Sequence, residues 1–353
     1  MVTQGGARPR LVDVARRAGV STATASLVLR GRPGPSEVTA DAVRGVAAAL
    51  GYRPDRTASL LARRRSHLIG VLLDVTSPFH AELVRALDDE AGEQGLDLVL
   101  STVTARRDEA GAAETLLDFR CEALAVLGPA MPDAALDALA ATVPTVVVGR
   151  RGTPLAPGVL VSDDRGLELA VDHLVGLGHR RISFVDGPRG SIATARRSGY
   201  RAAMCRHGLA GEVDVLAGGA TEDDGARAAG GLLARPARSR PTATVCFNDR
   251  VAIGLRDSVF RSGLNLPADL SVVGYDDSPP ARLGTVDLTS VSQEPERLAH
   301  ETVGLLAAAL QGEEAAVADV VIDPRLVLRS SSGPPAASTS PPSTSSPARD
   351  RMS

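Results

Sequence analysis

Two groups of residues in this chain could do chemistry, and they lie far apart. The first is Ser21-Thr22-Ala23-Thr24-Ala25-Ser26-Leu27, where hydroxyls interleave with small apolar groups. Arg30 follows, and residues 53–65 add five more arginines. Such a set suits a polyanion: hydroxyls and helix N-terminal amides meet phosphate oxygens, and guanidinium groups neutralise them. The second group is Arg196, Asn248 and Asp276, each expected just beyond a strand or at a helix start. One guanidinium, one amide and one carboxylate supply the donors and acceptors that hydroxyl groups need. No nucleophile elbow, Gly-rich phosphate loop or paired metal ligands stand in the sequence, and Gly187-Pro-Arg-Gly190 reads as a turn. No catalytic residue, metal or cofactor is therefore expected.

Charge separates the two groups. The first 66 residues carry twelve Arg against four acidic residues, whereas the other 287 carry 27 Arg against 38 Asp and Glu. A basic head on an acidic body implies that the head meets a polyanion and the body does something else. All 39 basic residues are Arg, which codon usage explains most simply, so no single Arg is read as chosen for bidentate contacts. With 353 residues the chain can build two or three domains. Its apolar runs are strand-length, far below the roughly 20 residues of a membrane span, and no secretory h-region is visible. The expectation is a cytoplasmic protein. Cys121, Cys205 and Cys246 lie far apart among small or apolar residues and read as buried free thiols.

The elements that must position these residues follow from periodicity and caps. Residues 11–50 read as three helices: Gly19 ends the first, Ser21 caps the second, Ser36 caps the third, and Gly51 closes it. Arg53 to Arg65 is a basic linker with helical potential. From His67 onward, strands such as 68–73, 96–103, 123–127, 145–148, 182–185, 213–216, 243–247 and 271–275 alternate with amphipathic helices. This alternation implies parallel sheets with helices on both faces, hence two Rossmann-like lobes whose ligand sits beyond the carboxyl ends of the strands. Residues 1–9 read as a disordered lead-in and 331–353 as a disordered tail of Ser, Thr, Pro and Ala.

These residues also carry a resemblance. Val12-Asp-Val-Ala-x-x-Ala-Gly-Val-Ser-x-x-Thr-Ala-Ser resembles the helix-turn-helix of LacI/GalR-type regulators, and Leu50-Gly-Tyr-Arg-Pro-Asp-Arg resembles that family's exit into its hinge. Ile69-Gly-Val, Ser77-Pro-Phe, Leu177-Gly-His-Arg-Arg-Ile, Phe247-Asn-Asp and Ser271-Val-Val-Gly-Tyr-Asp-Asp continue it in order. The resemblance implies an α/β protein: a small all-α DNA-binding domain at 10–53, a hinge at 54–66, and a two-lobed periplasmic-binding-protein-like core at 67–330. The first lobe would take about 67–165 and 295–322, the second about 166–294 and 323–330.

For the head, the resemblance places the second helix in the major groove with Thr22, Ala23 and Leu27 at base edges, flanked by Ser21, Thr24, Ser26 and Arg30. Leu27 stands where many relatives place an Arg, and it could meet a thymine methyl or pack inward. Ser21, Thr24, Ser36 and Thr39 suit phosphate, or act only as caps. In the hinge, Leu61 matches the family's minor-groove wedge, with Ala58 beside the groove floor and Arg56 in the same segment; Arg63, Arg64 and Arg65 would neutralise phosphates.

For the core, the resemblance assigns effector contacts to Arg196, Asn248 and Asp276, with Asp74, Ser77, Phe79 and Gln293 also lining the pocket. The rival reading for the polar three is an inter-lobe salt bridge or a cap. Eight aromatics and no Trp leave a non-sugar effector open beside a carbohydrate. The implied protein is a homodimeric repressor on near-palindromic double-stranded operator DNA, controlled by a small effector. The alternatives are a solute-binding protein without DNA regulation, an activator, or a regulator with a nucleobase-like effector.

Overall fold

The computed structural model describes residues 9–29, 33–52, 65–104, 106–313 and 318–336. The chain divides into two compact units, residues 1–66 and 67–353.

The first unit holds α1 (Leu11–Ala18), α2 (Thr22–Leu29) and α3 (Glu37–Leu50). Gly19 takes a left-handed φ of 67° and closes α1, and Gly51 does the same for α3 at 61°. Ser21 Oγ accepts from Thr24 N at 3.0 Å, and Ser36 Oγ accepts from Thr39 N at 3.3 Å, so both helix starts are capped. Val14, Ala15, Ala25, Val28, Val43 and Ala47 make the core. Because three of these six are Ala, the helices can approach closely.

Among the described residues, the second unit contains two six-stranded sheets. In the first lobe lie β1 (Leu68–Leu73), β2 (Asp97–Thr102), β3 (Ala123–Leu127), β4 (Thr145–Val148), β5 (Gly158–Val161) and β11 (Val320–Ile322), ordered β11-β5-β4-β3-β1-β2 and all parallel. Its helices are α4 (Pro78–Glu93), α5 (Glu109–Asp118), α6 (Asp133–Ala140) and α11 (Pro295–Gln311). Strands β3 and β4 are buried along their whole length, which is why they read as continuous apolar runs. One face is covered by α4 and α11 through Phe79, Leu83, Leu87, Leu298 and Leu306, the other by α5 and α6 through Leu116 and Leu136.

The second lobe holds β6 (Ile182–Val185), β7 (Asp214–Leu216), β8 (Ala243–Cys246), β9 (Ser271–Asp276), β10 (Thr289–Ser292) and β12 (Arg325–Val327), ordered β12-β10-β9-β8-β6-β7. Only β12 runs antiparallel to its neighbour. Helices α7 (Asp163–Gly176) and α8 (Ser191–Arg206) cover one face, α9 (Glu222–Leu233) and α10 (Asp249–Arg261) the other. A Cβ on Gly254 would lie 1.9 Å from Glu222 O, so α9 and α10 meet at backbone contact where only Gly fits. The chain passes between lobes three times: after β5, after β10 and after β11.

Three expectations need correction. Strands β5, β10, β11 and β12 were not anticipated; each has three or four residues, too few to show a period. Residues 331–336 are not disordered. Ser331 is buried, its Oγ donates to Val272 O at 2.7 Å, and its carbonyl accepts from Val272 N at 2.8 Å. Gly333 O accepts from Ser271 Oγ and from His179 Nε2, so polar bonds order a segment that apolar mass would not. Residues 337–353 lie outside the described residues. Cys205 is exposed, because the buried face of α8 runs through Arg196, Tyr200, Ala203 and Met204. Cys121 and Cys246 are buried free thiols, and burial pushes the first up to about 11.

Candidate effector cleft and DNA-reading helix

The carboxyl ends of β1, β3, β4, β8 and β9 and the starts of α4, α8 and α10 enclose a cavity of about 590 Å³ between the two lobes. Asp74, Ser77, Phe79, Arg196, Asn248, Asp276 and Gln293 all stand on its wall. They come from both lobes and from the second crossover.

Arg196 is the most constrained of them. It is 4% exposed, donates from Nε to Asp163 Oδ1 at 2.8 Å and from Nη1 to Phe247 O at 2.5 Å, and lies 3.6 Å above the Tyr275 ring and 4.8 Å from that of Phe247. Burial works against its charge, and Asp163, with Tyr275 and Asp276 behind it, outweighs this, so its pKa is raised. A rigid cation therefore faces the cleft. Asp276 ends β9 with φ 114°, and its Oδ1 accepts from Gln293 Nε2 at 2.6 Å. Burial raises its pKa; Arg196 draws it down and Asp249 pushes it up.

Asn248 is already engaged. Its Oδ1 accepts from Val251 N at 2.9 Å, capping α10, and its Nδ2 donates to Ala220 O at 3.1 Å. It is thus a cap as well as a wall residue. Ser77 Oγ likewise accepts from His80 N at 3.3 Å, with Pro78 opening α4, and Asp74 Oδ1 accepts from Thr76 N at 2.8 Å. Phe79 is buried in the first lobe's core and reaches the wall from there.

His80, Glu109, Arg189 and Arg250 also line the cavity and were not anticipated. Arg250 is held by Glu222 at 2.9 and 2.6 Å. Its position directly after Asn248-Asp249 was the available signal.

In the head, Ser21, Thr22 and Ala23 are exposed at the start of α2, Thr24 and Ser26 are half-buried, and Leu27 is 41% exposed. The inward-packing reading of Leu27 is thereby overturned: Ala25 and Val28 form the buried face. The hydroxyls of Ser21 and Thr24 lie 2.9 Å apart, as do those of Ser36 and Thr39, so capping engages them within the protein. Arg30, Arg56, Ala58 and Leu61, with the hinge helix they imply, lie outside the described residues.

A family model for bacterial regulatory proteins of the lacI family matches residues 10–55, and one for a periplasmic binding protein-like domain matches 171–332. The chain is 31% identical to the HTH-type transcriptional regulator GalR of Escherichia coli (strain K12) over 341 residues, 94% of this chain and 98% of that one. This chain belongs to the LacI/GalR family of transcriptional regulators. Among solved structures of the family, the lac repressor dimer bound to operator and the anti-inducer ONPF matches with a TM-score of 0.78 at 30% identity, covering 93% of this chain and all (100%) of that one. The transcriptional regulator CelR in complex with cellobiose matches with a TM-score of 0.65 at 28% identity, covering 92% and 100%. The helix-turn-helix head and the cleft described above are thus parts of a DNA-binding regulator.

Proposed function

We propose that the chain is a homodimeric repressor that acts in the cytoplasm on a near-palindromic operator, and whose operator affinity is set by a small carbohydrate in the cleft. The observation that carries this is the convergence of Arg196, Asp276, Gln293 and Asn248 from separate elements on one cavity, opposite Asp74 and Ser77. This is a mixed donor and acceptor lining with Phe79 and Phe247 as apolar surface. The lac repressor complex with operator and ONPF and the CelR complex with cellobiose support it by likeness. A ligand favouring one lobe arrangement shifts operator affinity by its differential binding to the two states.

A second copy of this chain is the proposed cover for Phe260 on α10 and Leu283, which are 61% and 56% exposed. Arg256 donates to Thr285 O and so brings the two segments side by side. Two-fold symmetry then predicts half-sites of matching symmetry on the DNA. Thr22, Ala23 and Leu27 would read bases, and Arg56, Ala58 and Leu61 would enter the minor groove.

The test is a thermal-shift series with D-glucose, D-galactose, D-ribose, maltose and cellobiose, followed by anisotropy titration onto the gene's own upstream DNA with and without the sugar that stabilises. The expected result is one stabilising sugar that changes operator affinity at least tenfold. Equal, weak binding to operator and scrambled DNA would sink the regulator reading.

A further inference from the structure

We infer that His80 donates a hydrogen bond from Nε2 to the molecule held in the cleft, fixing an acceptor oxygen of that molecule against the end of β3. The inference rests on reading the cavity as the effector site. It begins from the other ring nitrogen. Nδ1 lies 3.2 Å from both the amide nitrogen and the carbonyl oxygen of Asp74. That carbonyl already accepts from Ser77 N at 3.2 Å. The Asp74 amide has no other acceptor among the described residues, and its N–H points at Nδ1, whereas the carbonyl is already paired. Nδ1 therefore accepts, and in the neutral ring the proton sits on Nε2.

The direction of Nε2 follows from Gly128. A Cβ at that position, where φ is +56°, would lie 3.5 Å from Nε2 and 3.7 Å from Cε1. Gly128, Pro129 and Ala130 form the adjoining wall of the cavity, so the missing side chain leaves Nε2 facing open space. Among the described residues Nε2 has no protein partner. Burial lowers the pKa of His80 against the pull of Asp74, which keeps the ring neutral at neutral pH. The Asp74 contact at Nδ1 orients the ring on a backbone that Ser77 Oγ holds through the His80 N–H. A sugar hydroxyl, carbonyl or carboxylate oxygen satisfies such a donor. An ammonium group or an apolar ring edge at the same point leaves it unpaired, which selects against those ligands.

The test has two arms on the full-length protein. Long-range proton–nitrogen correlation spectra of the ¹⁵N-labelled protein at pH 7, with His80→Gln for assignment, should show Nε2 protonated and Nδ1 bare. A protonated Nδ1 or a doubly protonated ring overturns the inference. In the second arm the sugars of the panel above are titrated onto wild type, His80→Phe and His80→Gln. The expected result is a loss of about tenfold or more in affinity for His80→Phe, with His80→Gln recovering most of it through its own amide donor. Unchanged or tighter binding by His80→Phe overturns the inference while leaving the sugar reading intact. If no sugar stabilises wild type, the sugar reading fails instead, and the tautomer decides the inference alone.

Discussion

Arg282 joins the lobes by gripping Glu82 on α4 with both terminal guanidinium nitrogens, Nη1 to Oε1 at 2.8 Å and Nη2 to Oε2 at 3.3 Å. The same Arg282 donates to Asp277 O at 2.6 Å, and Asp277 directly follows the cleft residue Asp276. Both aspartates hold positive φ, 114° and 50°, so the turn adopts a backbone that few side chains favour. A contact made at Asp276 is thus one residue from the pair that bridges the lobes.

Arg282→Gln should loosen that bridge. Its guanidinium is partly exposed, so the pair itself contributes little to global stability, about 1 kcal/mol or less. The larger expected effect is on lobe arrangement. Small-angle scattering of the ligand-free protein should give a larger radius of gyration for the variant, with sugar affinity reduced about threefold to tenfold. An unchanged scattering profile would show that the pair does not hold the lobes.

Arg196→Ala should be costly in a different way. It leaves Asp163 without its partner in a site where both side chains are at least 89% buried from solvent by exposures of 5% and 11%. Breaking such a pair costs about 3–5 kcal/mol. Urea unfolding should show that loss, and sugar binding should vanish. Retained stability would mean that Asp163 finds another donor.

Asp276 makes a pH prediction of unusual sign for a carboxylate. Burial raises its folded-state pKa above the unfolded value, so the folded protein holds a proton that the unfolded chain has released. Stability from this group is present at pH below the usual carboxylate range and falls as pH climbs from there towards the raised value. Asp276→Asn keeps the Oδ1 acceptor for Gln293 and removes the charge. Its melting temperature should exceed that of wild type by about 2–4 °C at pH 8 and by less at pH 5, while sugar affinity drops. A gap that widens on acidification would contradict the assignment.

Leu27 is exposed on α2, so Leu27→Ala should leave the head folded and cost operator affinity about 1–3 kcal/mol through one base pair per half-site. Binding to scrambled DNA, set by phosphate contacts, should not change. Anisotropy against single-base operator variants separates the two. A uniform loss over all sequences would place Leu27 outside direct readout.

The cap residues made the head legible: Gly19, Ser21, Ser36 and Gly51 sit where helix ends must be, because few residues satisfy those backbone groups. Asn248 and Asp276 were legible as polar groups at strand ends, the family resemblance supplied the other five cleft residues, and all seven line one cavity. Much of the rest had no side-chain signal. The wall at Gly128 and Gly149 is mainly backbone at the ends of β3 and β4, and β11 is three residues whose partner, β5, lies more than 150 positions earlier. Cys205 was misplaced for a simpler reason: Ala202, Ala203 and Met204 before it are small or apolar, but helix phase turns it to solvent beside Arg206.

Residues 331–336 decide where this chain can be lengthened. They run past the amino end of β9 and the turn before β6, bonded to Ser271, Val272 and His179, whereas the cleft lies at the carboxyl end of β9. A reporter or surface tether joined at residue 336 in place of residues 337–353 would leave from the far end of the second lobe, clear of the cleft mouth. A chain cut after residue 330 would instead strip buried donors and acceptors of their partners, at about 1–3 kcal/mol for each group left unsatisfied.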